Sequence, residues 1–201
     1  PATSVSVEAN SGERGDPRVV LVGLPDAAVK ESLDRVHSSL SNSGFSLPRT
    51  RVTVNLAPAD LRKEGSSFDL PVALCLLSST KQLSTVPLQN YLIAGELVLS
   101  GHIRPVRGGI SMAMLAKQKS LKGVILPKES AKEAAIVQGI DIFGVDSLSE
   151  VVDFLEGKVA LQPMSHPGGA SSPTNRYEYD FSDIKGQHNL RRAVEVAVSG
   201  G

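Results

Sequence analysis

The sequence predicts an α+β domain, a mixed sheet with packed helices, and three observations carry that reading. Apolar residues alternate with polar ones at Val5 and Val7, and again at Val52, Val54 and Leu56, the period of a half-buried strand. Val29, Leu33, Val36 and Leu40 recur at three- and four-residue spacing, the period of a helix with one buried face. In the middle of the chain, residues 92–99 and 102–106 flank Ser100-Gly101, a dipeptide suited to a tight antiparallel hairpin. Hairpin pairing there favours a mixed sheet over a doubly wound parallel one, in which each strand needs a crossover before the next.

The elements follow in order. Residues 18–22 form a short apolar run after a Gly/Asp/Pro turn and are expected to pair with the strand around Val5 and Val7 in one sheet. The first helix runs from Asp26, opened by Pro25, and closes at Gly44, a residue free to take the left-handed conformation of a helix end. Residues 50–56 return to strand alternation. A second helix begins near Asp69, whose carboxylate is expected to cap free amides, with Pro71 in the first turn where its missing N–H is harmless. Through Leu77 that helix is apolar almost all round, so it is expected as the buried central helix. After Gly108-Gly109 come a helix to about residue 119, a strand at 123–126, a helix at 128–138, a short strand at 140–145 and a helix at 148–155. Residues 157–175, with three prolines, two adjacent glycines and several serines, read as a linker, and the amphipathic helix at 189–198 belongs to something beyond it.

Composition bounds the function. With 201 residues, 41% of them apolar, the chain can bury one full core and carry a short appendage. Its 21 basic and 21 acidic residues cancel, so no global field draws in nucleic acid or an anionic membrane, and any DNA contact has to be local. A single cysteine, Cys75, excludes an intrachain disulfide, and no run of about 18 apolar residues or signal-peptide pattern is present. A soluble protein of a reducing compartment, the cytoplasm, is the expectation. The start at Pro1 and the stop at Gly200-Gly201 just after a helical pattern read as a trimmed fragment.

Chemistry concentrates between Asn55 and Pro71. There a strand runs through Ala57-Pro58-Ala59-Asp60-Leu61-Arg62-Lys63-Glu64-Gly65-Ser66-Ser67 into a helix start, a geometry that exposes a hydroxyl beside free amides. Three readings stay open: Ser67 as a nucleophile, the Gly65-Ser66-Ser67 amides as an anion site, or an ordinary capping turn. A nucleophilic serine needs a base, and the histidines offer none: His37 lies on the polar side of the first helix, His102 beside the hairpin turn, His166 in the linker and His188 beyond it. No pair has metal-ligand spacing. Cys75 sits among leucines, which raise a thiol pKa and leave it inert. Arg62, Lys63, Arg104 and Arg107 read either as a small basic rim open to an anion or partner or as isolated solvated charges, and Gly108-Gly109 reads as backbone geometry more readily than as a phosphate cradle.

The segments from Val22-Gly23-Leu24-Pro25-Asp26 to Ser32, from Val54-Asn55-Leu56 to Gly65, and from Gly95-Glu96-Leu97 to Arg104-Pro105-Val106-Arg107-Gly108 closely resemble the signature of the ComM/YifB family of magnesium-chelatase-like AAA+ ATPases. The resemblance covers essentially the whole chain. It implies an N-terminal domain similar to the Lon proteolytic domain, of the ribosomal protein S5 domain 2-like superfamily, over residues 1–157, a linker at 158–180, and at 181–201 the start of a truncated AAA+ module. Ser67 matches the Lon-type nucleophile position, whereas the position matching the activating lysine holds Ser111, so the dyad is incomplete. Lys117 lies six residues further along, about 9 Å of rise and roughly 240° of rotation away, on the wrong face to substitute. The resemblance therefore implies a non-catalytic domain with no cofactor of its own. It implies ATP and magnesium for the full-length parent, its own AAA+ module and a hexameric homo-oligomer as partners, DNA through the parent, and no membrane. An ATP-dependent Lon-like protease domain and a subunit of a magnesium-chelatase-like motor are the alternatives.

Overall fold

A computed structural model of the chain describes residues 2–13, 16–84, 88–165, 192–194 and 196–197. The chain divides into two compact units, Pro1–His166 and Pro167–Gly201. In the second unit residues 192–194 and 196–197 are helical; the rest of the expected linker and of the helix at 189–198 lies outside the described residues.

The first unit has the expected mixed α+β fold. One sheet has the order β1 (Ser6–Glu13), β3 (Arg51–Ala57), β2 (Val19–Val22). β3 runs antiparallel to β1 and parallel to β2, so the two strands expected to pair share the sheet but each pairs with β3 instead. Alternation in β3 puts Val52, Val54 and Leu56 wholly out of water. Against this face pack α1 (Ala27–Asn42) and α2 (Asp69–Ser79). α1 starts where the Asp26 carboxylate accepts from the Val29 N–H at 2.8 Å. It ends at Gly44, φ +81°, with the Phe45 N–H closing back on the Leu40 carbonyl at 2.9 Å. α2 buries Leu70, Val72, Ala73, Leu74, Leu76 and Leu77, the central helix its all-round apolarity predicts.

A second sheet, order β4 (Tyr91–Ile93), β7 (Gly123–Pro127), β8 (Asp141–Val145), is parallel throughout, and β5 (Glu96–Leu97) pairs antiparallel with β6 (Ile103–Arg104). α3 (Gly109–Gln118), α4 (Lys128–Ala134) and α5 (Leu148–Leu155) complete the unit. α3 and α4 share a second, smaller core in which Ala113, Ala116, Ala131 and Ala134 meet Val124, Leu126 and Ile142.

The hairpin expected over residues 92–99 and 102–106 is shorter than its sequence suggests. Its first arm changes partner at Ala94-Gly95: Tyr91–Ile93 joins β7, and only Glu96–Leu97 pairs with Ile103–Arg104. Gly95 makes this crossing possible, because a Cβ there would stand 2.7 Å from Ile103 Cγ2 and 3.2 Å from Leu70 Cδ2. α4 likewise stops at Ala134, short of 138, and the chain turns into β8 through Gly139 at φ +79°. After α5, the expected linker does not leave the core at once. Leu161 packs on the larger core and Met164 on the smaller, and the Met164 N–H donates to the Ile142 carbonyl at 2.7 Å.

Gly23, φ +100°, allows β2 to turn against β3; a Cβ there would lie 2.1 Å from the Leu56 carbonyl oxygen. Gly23→Ala is expected to lower the unfolding free energy by roughly 2–6 kcal/mol, left-handed strain plus overpacking. Gly44→Ala, with nothing within 4 Å of its Cβ, is expected to cost only about 1–2 kcal/mol. Urea unfolding of the two variants checks this, and equal losses would contradict the close approach.

Candidate functional site

The site is built where β3 leaves its sheet. The chain loops back so that the Lys63 N–H donates to the Leu24 carbonyl at 3.2 Å and the Asp26 N–H to the Lys63 carbonyl at 3.0 Å, pinning the loop beside the start of α1. Gly65, φ +83°, then opens a short 3-10 turn, Ser66–Phe68, that runs directly into α2. β5 lies against this turn: the Gly95 N–H donates to the Ser67 carbonyl at 3.1 Å, and the Gly95 carbonyl accepts from Leu70 N–H at 3.0 Å.

Two carboxylates fasten the contact. Glu96 accepts from the Ser66 hydroxyl with one oxygen and lies 3.6 Å from Arg104 with the other. Asp69, completely buried, accepts from Arg35 Nε at 2.7 Å and Nη2 at 3.1 Å, and from the Leu97 N–H at 3.2 Å. Asp69 is therefore not the helix cap expected of it. It is the first residue of α2, and its carboxylate turns away from its own helix to join α1 to β5. A charge placed in an apolar run must be paired to be buried, and Arg35 supplies the pair with bidentate geometry.

Burial pushes the Asp69 carboxyl above the ordinary aspartate value, outweighing the hydrogen bond and charge of Arg35 that pull it down. The same hydrogen bond raises Arg35 further. Cys75, whose thiol donates to the Val7 carbonyl at 3.5 Å, is pushed up to about 11 by burial, as its leucine surroundings predict.

The expected basic rim does not form as one surface. Lys63 is only 1% exposed, and its ammonium donates to the Pro58 carbonyl inside the loop, so it is a structural residue and not a rim contact. Arg62 is exposed and lies 3.3 Å from Glu64. Arg104 is held by Glu96, and Arg107 lines a separate cleft of about 330 Å³ with Gly108, Glu129, Ser130 and Glu133. Of the residues singled out, the structure gathers Ser66, Ser67 and Arg104 around Gly95 and Glu96, while the Gly65 N–H faces the Asp26 carboxylate at 3.4 Å. The Glu96 carboxylate on the Ser66 hydroxyl puts negative charge where the anion reading needs positive.

Ser111 is the third residue of α3, and the Lys117 ammonium donates to the Gln138 carbonyl at 2.8 Å. Gly108 turns at φ +87°, and a Cβ on Gly109 would stand 2.7 Å from the Ser130 carbonyl oxygen, so both glycines serve backbone geometry. His37 is half-buried and His102 exposed, while His166 and His188 lie outside the described residues. Sequence reasoning missed Arg35 and Glu96. The available signal was Asp69 itself, an acid at the head of an apolar helix, which demands a partner without saying which. Among the described residues, no group of three His, Cys, Asp or Glu is placed to hold a metal ion, and no helix is long and apolar enough to cross a membrane.

Residues 7–130, which span β1 to the start of α4 and so the whole of this site, match the family of subunit ChlI of magnesium chelatase. The chain belongs to that family. This magnesium-chelatase-like chain is also 40% identical over 200 residues to YifB of Escherichia coli K12, covering 100% of the chain and 38% of that protein. It is 40% identical over 203 residues to the competence protein ComM of Haemophilus influenzae Rd, covering 100% of the chain and 39% of ComM. Lon protease 2 of Borreliella burgdorferi is 29% identical over 164 residues, 76% of the chain and 20% of the protease, which agrees with the Lon-like fold class. The chain thus spans about two fifths of the length of the curated YifB and ComM proteins it matches.

Two consequences of the site can be measured in this magnesium-chelatase-like domain. Because the folded state holds the Asp69 proton more tightly than the unfolded chain does, this group favours folding below its unfolded pKa. That contribution is lost as the pH rises through the folded value. Arg35→Met, which strands the buried carboxylate, is expected to cost about 3–5 kcal/mol at pH 7. The loss shrinks as the pH is lowered toward the raised Asp69 value; a loss independent of pH in urea unfolding would contradict the pairing. Lys63→Met, which leaves the Pro58 carbonyl without its donor, is expected to cost about 1–3 kcal/mol. A rim lysine would change stability by no more than about 0.5 kcal/mol, so calorimetric melting separates the two placements.

Proposed function

We propose that this chain is the non-catalytic N-terminal domain of a ComM/YifB-like AAA+ ATPase, whose full-length form is a hexameric motor acting on branched DNA in competence and recombination. The arrangement around the Ser66-Ser67 turn carries the reading. Its ionisable groups serve the fold: Glu96 holds Ser66 and Arg104, Asp69 holds Arg35 and Leu97, and the Lys63 ammonium faces a backbone carbonyl. A serine attacks a peptide only when a neighbouring base takes its proton, and the family position for that base is Ser111. The name of the competence protein ComM, similar over the whole chain, supports the competence side of the proposal.

In this reading residues 1–157 are the Lon-like domain, 158–180 a linker, and 181–201 the start of the ATPase module. The module, not this domain, brings ATP, magnesium, ring closure and DNA in the cytoplasm. Likeness to Lon proteases favours a second reading, a peptidase chamber in which Ser67 is the nucleophile.

Casein incubated with the full-length protein and ATP separates the readings. No cleavage is expected, and Ser67→Ala is expected to leave ATP hydrolysis and branch migration on a four-way DNA junction unchanged. Casein cleavage abolished by Ser67→Ala would replace the first reading with the second. ATP-driven magnesium insertion into a porphyrin, without junction migration, would point instead to a chelatase motor.

A further inference from the structure

We draw no further inference here: the strongest candidate, the polar cleft between the N-terminal end of α3 and the outer face of α4 lined by Arg107, Gly108, Glu129, Ser130 and Glu133, is a helix N-terminus beside an acidic pair whose buried hydroxyl, on Ser130, already bonds both backbone groups of Val106, so nothing in the structure points to a ligand there.

Discussion

The Asp69 carboxylate is the point through which the halves of the larger core are tied. It sits at the head of the most buried helix, takes two bonds from Arg35 on α1 and one from the backbone of β5, and has no exposure to water. A lone carboxylate in that position would be too costly to keep ionised, and a lone guanidinium would have no reason to lie against apolar neighbours. Together they tie α1, α2 and β5 to one another at a single point. Packing alone is non-directional; this pair gives the contact a single geometry.

The Ser66–Glu96–Arg104 chain extends the same logic outward. Asp69, at the head of α2, is buried and Glu96, in β5, is partly exposed, so the loop bearing Ser67 is held both through its backbone and through the Ser66 side chain. The Ser67 carbonyl and the Ser66 hydroxyl thus both anchor the loop to the chain at Gly95 and Glu96. A nucleophilic serine needs a proton acceptor in addition to such anchoring.

Legibility in the sequence followed how local each decision was. α1, α2, α5 and β3 could be read because their apolar period lies within the elements themselves, and α1 also because Pro25 and Gly44 border it. The partner change at Gly95 could not, because residues 92–99 read as one hairpin arm and the contacts that divide it, Leu70 and Ile103, are distant or across a turn. At the site, the Gly/Ser turn before Asp69-Leu70-Pro71 was visible. The burial of Lys63 was not, since it stands between Arg62 and Glu64, two exposed charges, and only the folded-back loop brings Pro58 to its ammonium. Asp69 was read as a cap because a carboxylate at a helix start ordinarily finds its nearest amides; a guanidinium 34 positions earlier in the chain outcompeted them.

Gly95 has a reach beyond its own turn. Two sheets with different strand directions are spliced at a spot where the backbone passes through a slot too narrow for a methyl group. The apolar positions around it tolerate exchange of one aliphatic for another of similar volume, but bulk at this splice would contest the topology itself. A residue that contributes no side chain thus leaves less room for substitution than the leucines that fill the interior.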